Sequence, residues 1–127
     1  MRNTKSKVKC TKISITKSDS VFKAYNDIQL AYVRKLEQDD SIKEIKSNIP
    51  IGELEGLDGK YTTDFFVIRS NGDVFVRECV YTKYLTKPMT IKLLDASRVY
   101  WAKRGVEDWG IVVDGQEYFS WIKWKYI

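Results

Sequence analysis

Histidine is absent from these 127 residues. That absence alone removes Ser-His-Asp triads, Cys-His pairs, His-ligated zinc and every nuclease whose general base is an imidazole. Cysteine is scarce. Cys10 and Cys79 stand far apart without metal-ligand spacing, which reads as a reduced chain and not a disulfide scaffold. No apolar run approaches the ~20 residues of a membrane span. The N-terminus is basic and polar with no apolar stretch behind it, so no signal peptide is read and a cytoplasmic location away from membranes is expected. Repeats and linkers are missing too, which leaves one domain, residues 1–127.

What the chain does have is charge and apolar surface. Hydrophobic residues make up 43%, enough for a core, and charged residues 31%, as in a soluble protein. The net charge of +5 and the pI near 9.1 favour polyanionic partners. The charge is uneven. Arg2, Lys5, Lys7, Lys9, Lys12 and Lys17 crowd residues 1–17. Such a segment either frays in solvent or serves as a phosphate-contacting arm.

Hydrophobic periodicity orders the rest. Val8 to Ile15 reads as a short edge strand, and Ser18-Asp19-Ser20 offers caps for a helix to come. Asn26 to Leu36 carries apolar residues at helical spacing, and Asp39-Asp40-Ser41 ends that helix. Ile42 to Pro50 reads as a turn and a short strand, and residues 52–59 as a loop. Two apolar runs, Tyr61–Ile68 and Val74–Val80, then flank Ser70-Asn71-Gly72-Asp73, a strong hairpin signal. Asp64 is expected at the start of the first strand and Glu78 at the end of the second, so the hairpin brings two carboxylates together. Paired carboxylates on a sheet are a way to hold Mg²⁺ or Mn²⁺ for phosphodiester cleavage. Pro88 and Gly105 bracket a helix over Thr90–Arg104, and Trp109–Asp114 reads as a buried strand. The order predicts an α/β fold, a restriction-endonuclease-like mixed sheet flanked by helices.

The stretch Asn26–Asp114 resembles the N-terminal catalytic domain of TnsA, the endonuclease subunit of heteromeric bacterial transposases. The resemblance is carried by Leu36–Asp40 with Ile45–Pro50, by Thr62-Thr63-Asp64-Phe65-Phe66, by Leu85–Leu94, and most specifically by Arg98–Gly105 with Trp109-Gly110-Ile111-Val112. It implies a PD-(D/E)xK nuclease fold, a Mg²⁺ or Mn²⁺ cofactor, DNA as substrate, a transposase-type or host protein partner, and a mobile-element or phage setting. It also implies four site positions: a helix glutamate, a strand aspartate, a Glu or Gln ending the next strand, and a lysine two residues later. Asp64 and Glu78 match the second and third and are the metal-ligand candidates. The helix position holds Gln29, and the lysine position holds Val80.

Each change has a chemical meaning. Valine neither orients a water nor neutralises developing charge, and loss of such a donor costs ~10²–10³ in rate. Gln29 offers a neutral oxygen in place of a carboxylate. Lys83 and Lys60 are candidates to replace the lysine, and Glu53 or Glu55 to replace the glutamate. Lys87, Lys92, Arg98 and Lys103, on or beside the long helix, are nucleic-acid candidates or a solvated helix face. Tyr81, Tyr84, Tyr100, Trp101, Trp121, Trp124 and Tyr126 either stack on bases or pack the core or a partner. Cys79 reads as a packed thiol. Two functions stay open. One is a metal-dependent DNA endonuclease with a rearranged site. The other is a silent nuclease fold that binds DNA or a protein.

Overall fold

The computed structural model describes residues 2–3, 9–113 and 116–118, the first two as backbone only. In chain order the elements are β1 (Arg2–Asn3), β2 (Thr11–Ile13), β3 (Phe22–Ala24), α1 (Asp27–Glu37), β4 (Ile42–Glu53), β5 (Lys60–Arg69), β6 (Val74–Cys79), α2 (Pro88–Ala102), β7 (Trp109–Val113) and β8 (Gln116–Tyr118). A short 3₁₀ turn, Thr82–Tyr84, precedes α2. One sheet runs in the order β1-β5-β6-β7-β8, with β4 paired to β5 as well, and β2 and β3 form a separate antiparallel pair.

The pair β6 and β7 is parallel, and every other pairing is antiparallel. A parallel pair needs a long crossover, and α2 supplies it. Side chains on a strand alternate between faces. Phe75 and Cys79 of β6 and Val112 of β7 therefore pack with Ile28, Tyr32, Val33 and Leu36 of α1. Val76, Val80, Ile111 and Val113 pack with Leu94 and Trp101 of α2. The result is an α/β mixed sheet with one helix on each face. Among the described residues no helix is long and apolar enough to cross a membrane.

Several boundaries differ from the expectations. The cap of α1 is Asn26, whose side chain accepts from the Gln29 N–H at 2.8 Å. Ser18–Ser20 lead instead into β3. Lys17 belongs to the fold: its Nζ donates to the Leu36 and Asp39 carbonyls at 3.0 and 2.5 Å, closing the C-terminal end of α1. The segment read as a turn and short strand is the twelve-residue β4. Pro50 is tolerated there because β4 pairs only with β5 and the ladder is irregular between Pro50 and Gly52. Asp64 does not begin its strand. Lys60 does, and Asp64 lies inside β5. The hairpin loop and the Gly105 stop form as expected, with Gly72 at φ +92° and Gly105 at φ +84°. Asp114 and the aromatics Trp121, Trp124 and Tyr126 lie outside the described residues, as do Lys5 and Lys7.

Candidate active site

The β5–β6 ladder runs from Ile68↔Val74 to Phe65↔Arg77 and ends there. Beyond it side chains replace the backbone ladder. The Asp64 N–H donates to Glu78 Oε1 at 2.8 Å, and the Cys79 N–H donates to Asp64 Oδ2 at 2.7 Å. The two carboxylates thus staple the end of the hairpin reciprocally. A charged acceptor roughly doubles the strength of such a bond over a neutral one.

Glu78 also reaches the α2 side. Its Oε2 accepts from the hydroxyls of Thr63 (3.1 Å) and Ser97 (2.5 Å). Each hydroxyl in turn accepts from an indole: Trp101 Nε1 to Thr63 Oγ1 at 2.8 Å, and Trp109 Nε1 to Ser97 Oγ at 3.1 Å. Five side chains from β5, β6, α2 and β7 form one buried polar network. Burial, with the Asp64 charge in addition, pushes the Glu78 carboxyl up to about 7. Burial likewise raises the Cys79 thiol well above its usual range, as befits a packed thiol and not a nucleophile.

Asp64 reaches the α1 side, where it meets Gln29. The Gln29 amide nitrogen donates to Asp64 Oδ1 at 2.6 Å and to Asn48 Oδ1 at 2.9 Å, and its oxygen accepts from the Tyr25 N–H at 2.8 Å. Those three bonds fix which end of the amide faces the carboxylate. Asn48 stands across from Asp64 on β4, between the pairs Ser47↔Phe65 and Ile49↔Thr63, in the left-handed region at φ +49°. Its own amide donates to the Lys23 carbonyl at 2.7 Å. Gln29 and Glu78 are 0% exposed and Asp64 2%.

A divalent cation of this class wants about six oxygen donors. Among the described residues Asp64 and Glu78 are the two carboxylates at this site, with no third acidic side chain beside them. All four oxygens of Asp64 and Glu78 accept hydrogen bonds from protein donors. The group that faces Asp64 from α1 is an N–H, not an oxygen. Among the described residues no cluster of three or more Asp, Glu, Cys or His side chains could hold a metal.

The other sequence candidates lie elsewhere. Val80 is buried against α2. Lys83 is exposed, with Nζ 5.6 Å from the Tyr81 ring centroid and 5.1 Å from that of Tyr84. Lys87 sits 4.7 Å over Tyr84. Glu53 and Lys60 face each other at the open ends of β4 and β5. Glu55 is exposed and pairs with Lys103 at 4.0 Å, and Arg98 pairs with Asp95 at 3.1 Å. Trp101 spends its N–H inside the core rather than on a base. Asn48, Thr63, Ser97 and Trp109 were not singled out as site residues in the sequence. Ser97 had one available signal, a polar residue in line with Leu94 and Trp101 on the buried face of α2.

No curated protein matches the chain. The family model for the TnsA-like endonuclease N-terminal domain matches residues 26–114, from the cap of α1 to just past β7. That match spans more than two thirds of the sequence and takes in both carboxylates and the crossover helix. The protein therefore belongs to the TnsA-like endonuclease N-terminal family, with the α/β sheet of a restriction-endonuclease-like domain.

Proposed function

We propose that this protein is a catalytically silent nuclease-fold module that binds DNA, as an accessory protein of a mobile element or phage. One observation carries the reading: the Gln29 amide donates to Asp64 at 2.6 Å in a site from which water is excluded. Two carboxylates that face each other in low dielectric need either a cation or a proton between them. Here burial and the Asp64 charge favour the protonated form of Glu78, and a neutral N–H faces Asp64 where the family has a carboxylate. With Val80 where the family has its lysine, the transition-state charge also lacks its donor. DNA as the partner is supported by the net charge of +5.

A second reading has one observation in its favour. Asp64 and Glu78 are both present, and the Asp64 backbone N–H donates to the Glu78 carboxylate, which keeps the two residues side by side. In that reading they hold Mg²⁺ or Mn²⁺, and Lys83 supplies the missing cation.

Plasmid assays separate the two. Supercoiled plasmid with Mg²⁺ or Mn²⁺ is expected to stay intact with the unmodified protein and with Asp64→Ala alike, while salt-sensitive DNA binding persists. Nicking lost in Asp64→Ala would establish the enzyme instead. Absence of DNA binding would point to a protein partner. Melting temperature gives a test free of activity. The unmodified protein should melt at the same temperature in EDTA and in Mn²⁺. Gln29→Glu should lose about 1–3 kcal/mol through the lost donor and regain part of it in Mn²⁺ only. A Mn²⁺-dependent rise in the unmodified protein would overturn the silent reading.

A further inference from the structure

Resting on the DNA-binding reading, we infer that the DNA backbone lies along the ridge from Tyr81 to Lys87 that leads into the N-terminus of α2, and not along the C-terminal half of that helix. From Cys79 to Leu94 the sequence contains no Asp or Glu but has Lys83, Lys87 and Lys92. Thr82, Lys83, Tyr84, Thr86 and Lys87 are all exposed. Among the described residues no carboxylate pairs with Lys83 or Lys87; their ammonium groups rest on tyrosine rings. Those rings hold the cations at the surface without neutralising them.

The first turn of α2 adds to the same field. No side chain caps it and no acidic residue stands in it, so its partial positive charge faces outward beside Lys87. The other end of α2 differs in kind. Arg98 is paired with Asp95 and Lys103 with Glu55. Lys92, Lys103 and Arg104 line a groove of about 460 Å³ that also holds Glu53, Glu55 and Asp95, so its charges cancel. Lys92 borders that groove and marks the limit of the ridge.

The position fits the fold's ancestry. A cavity of about 220 Å³ opens beside the ridge, walled by Tyr81, Tyr84, Val80 and Cys79. Cys79 is the residue whose N–H holds Asp64. A strand bound on the ridge passes this cavity, and Cys79 in its wall is the next residue in the chain after Glu78. The structure thus keeps a phosphate track beside a site whose chemistry is spent, and Lys83 belongs to the track.

The test compares two variants that remove equal charge, Lys83→Ala/Lys87→Ala and Arg98→Ala/Lys103→Ala. Binding of a fluorescent DNA duplex is measured by anisotropy across a salt series. Each lost phosphate contact lowers the slope of log K against log salt by about 0.9. The first variant should flatten the slope by roughly 2, and the second should leave it unchanged. The first variant should melt with the unmodified protein, since Lys83 and Lys87 are exposed. Arg98 is only 37% exposed and paired with Asp95, so the second is compared at a temperature well below its own melting point. Equal effects of the two variants, or a slope unmoved by the first, would overturn the placement while leaving DNA binding intact. If the unmodified protein fails to bind the duplex at low salt, the DNA reading itself falls, and the ridge with it.

Discussion

Glu78 is tightly constrained. It accepts from at least three donors and has no exposed surface. Burial and the Asp64 charge still push its carboxyl from the ordinary 4.5 up to about 7. The consequence for stability has a definite sign. Between those two values the folded chain holds a proton that the unfolded chain has released. Stability from this group is therefore greatest below about 4.5 and is lost as the pH rises through about 7. Urea unfolding at pH 5 and pH 8 should show the unmodified protein weaker at pH 8. Glu78→Gln should lack that component of the fall, because the Thr63 and Ser97 hydroxyls can turn to meet an amide. A fall of the same size in the variant would assign the titration to another group. Asp64 and Glu78 could be named at this scale from the hairpin, and Gln29 and Val80 only from what the family resemblance implies. Asn48 and Ser97 were not, because each matters only through the strand register or helix face that carries it to the carboxylates.

Elements are set by local chemistry where that chemistry is strong. Gly105 ends α2 in a Schellman arrangement. The Val106 N–H donates to the Trp101 carbonyl at 2.9 Å and the Gly105 N–H to the Ala102 carbonyl at 3.1 Å. A Cβ at Gly105 would meet no neighbour within 4 Å, so the cost of Gly105→Ala is the left-handed backbone alone. That cost is about 1–2 kcal/mol, measurable by urea unfolding, with the fold retained. A neutral result would mean that the helix end can relax to another geometry. Both long helices and the hairpin were visible in the sequence because periodicity, Pro88, Gly105 and Asn71-Gly72 agree there. The length of β4 was not. Ile42 to Pro50 reads as a turn and a short strand, and pairing with β5 makes one long strand of it.

At the scale of the whole molecule Arg77 ties the sheet to α1 and to the strands beyond β6. Its side chain is 2% exposed in the middle of the sheet. The guanidinium lies 4.5 Å over the Phe75 ring and bonds Asp108 at 2.9 Å and Glu117 at 3.2 Å. It also donates to the Val76 and Asp108 carbonyls. Glu117, on β8, accepts from the Tyr32 hydroxyl of α1 as well, and burial together with that carboxylate pushes the Tyr32 phenol up. Removing one partner of a buried pair costs about 3–5 kcal/mol. Asp108 and Glu117 keep 49% and 23% of their side-chain surface in water, so Arg77→Met should lose less than that, about 1–3 kcal/mol, and should lose hydrogen-exchange protection first at Gln116–Tyr118. Unchanged protection at β8 would show that the strand is held by its ladder to β7 alone.

By itself the sequence determined the class of the protein: an α/β nuclease-type domain, basic overall, without histidine chemistry, and with Gln29 and Val80 where the resemblance implies a glutamate and a lysine. Periodicity, turn chemistry and family spacing are local or linear properties, and a sequence displays them directly. Only the tertiary structure decided what the alterations mean. Whether Gln29 offers its oxygen or its N–H to Asp64 depends on the Tyr25 backbone and on Asn48, brought in from another strand. Whether a lysine has a carboxylate beside it depends on residues that are not its neighbours in sequence, as Glu55 is to Lys103 at 4.0 Å. Hydrogen-bond direction and charge pairing are three-dimensional facts. In this protein they recast two altered site positions as a closed, self-satisfied polar core beside an open basic ridge.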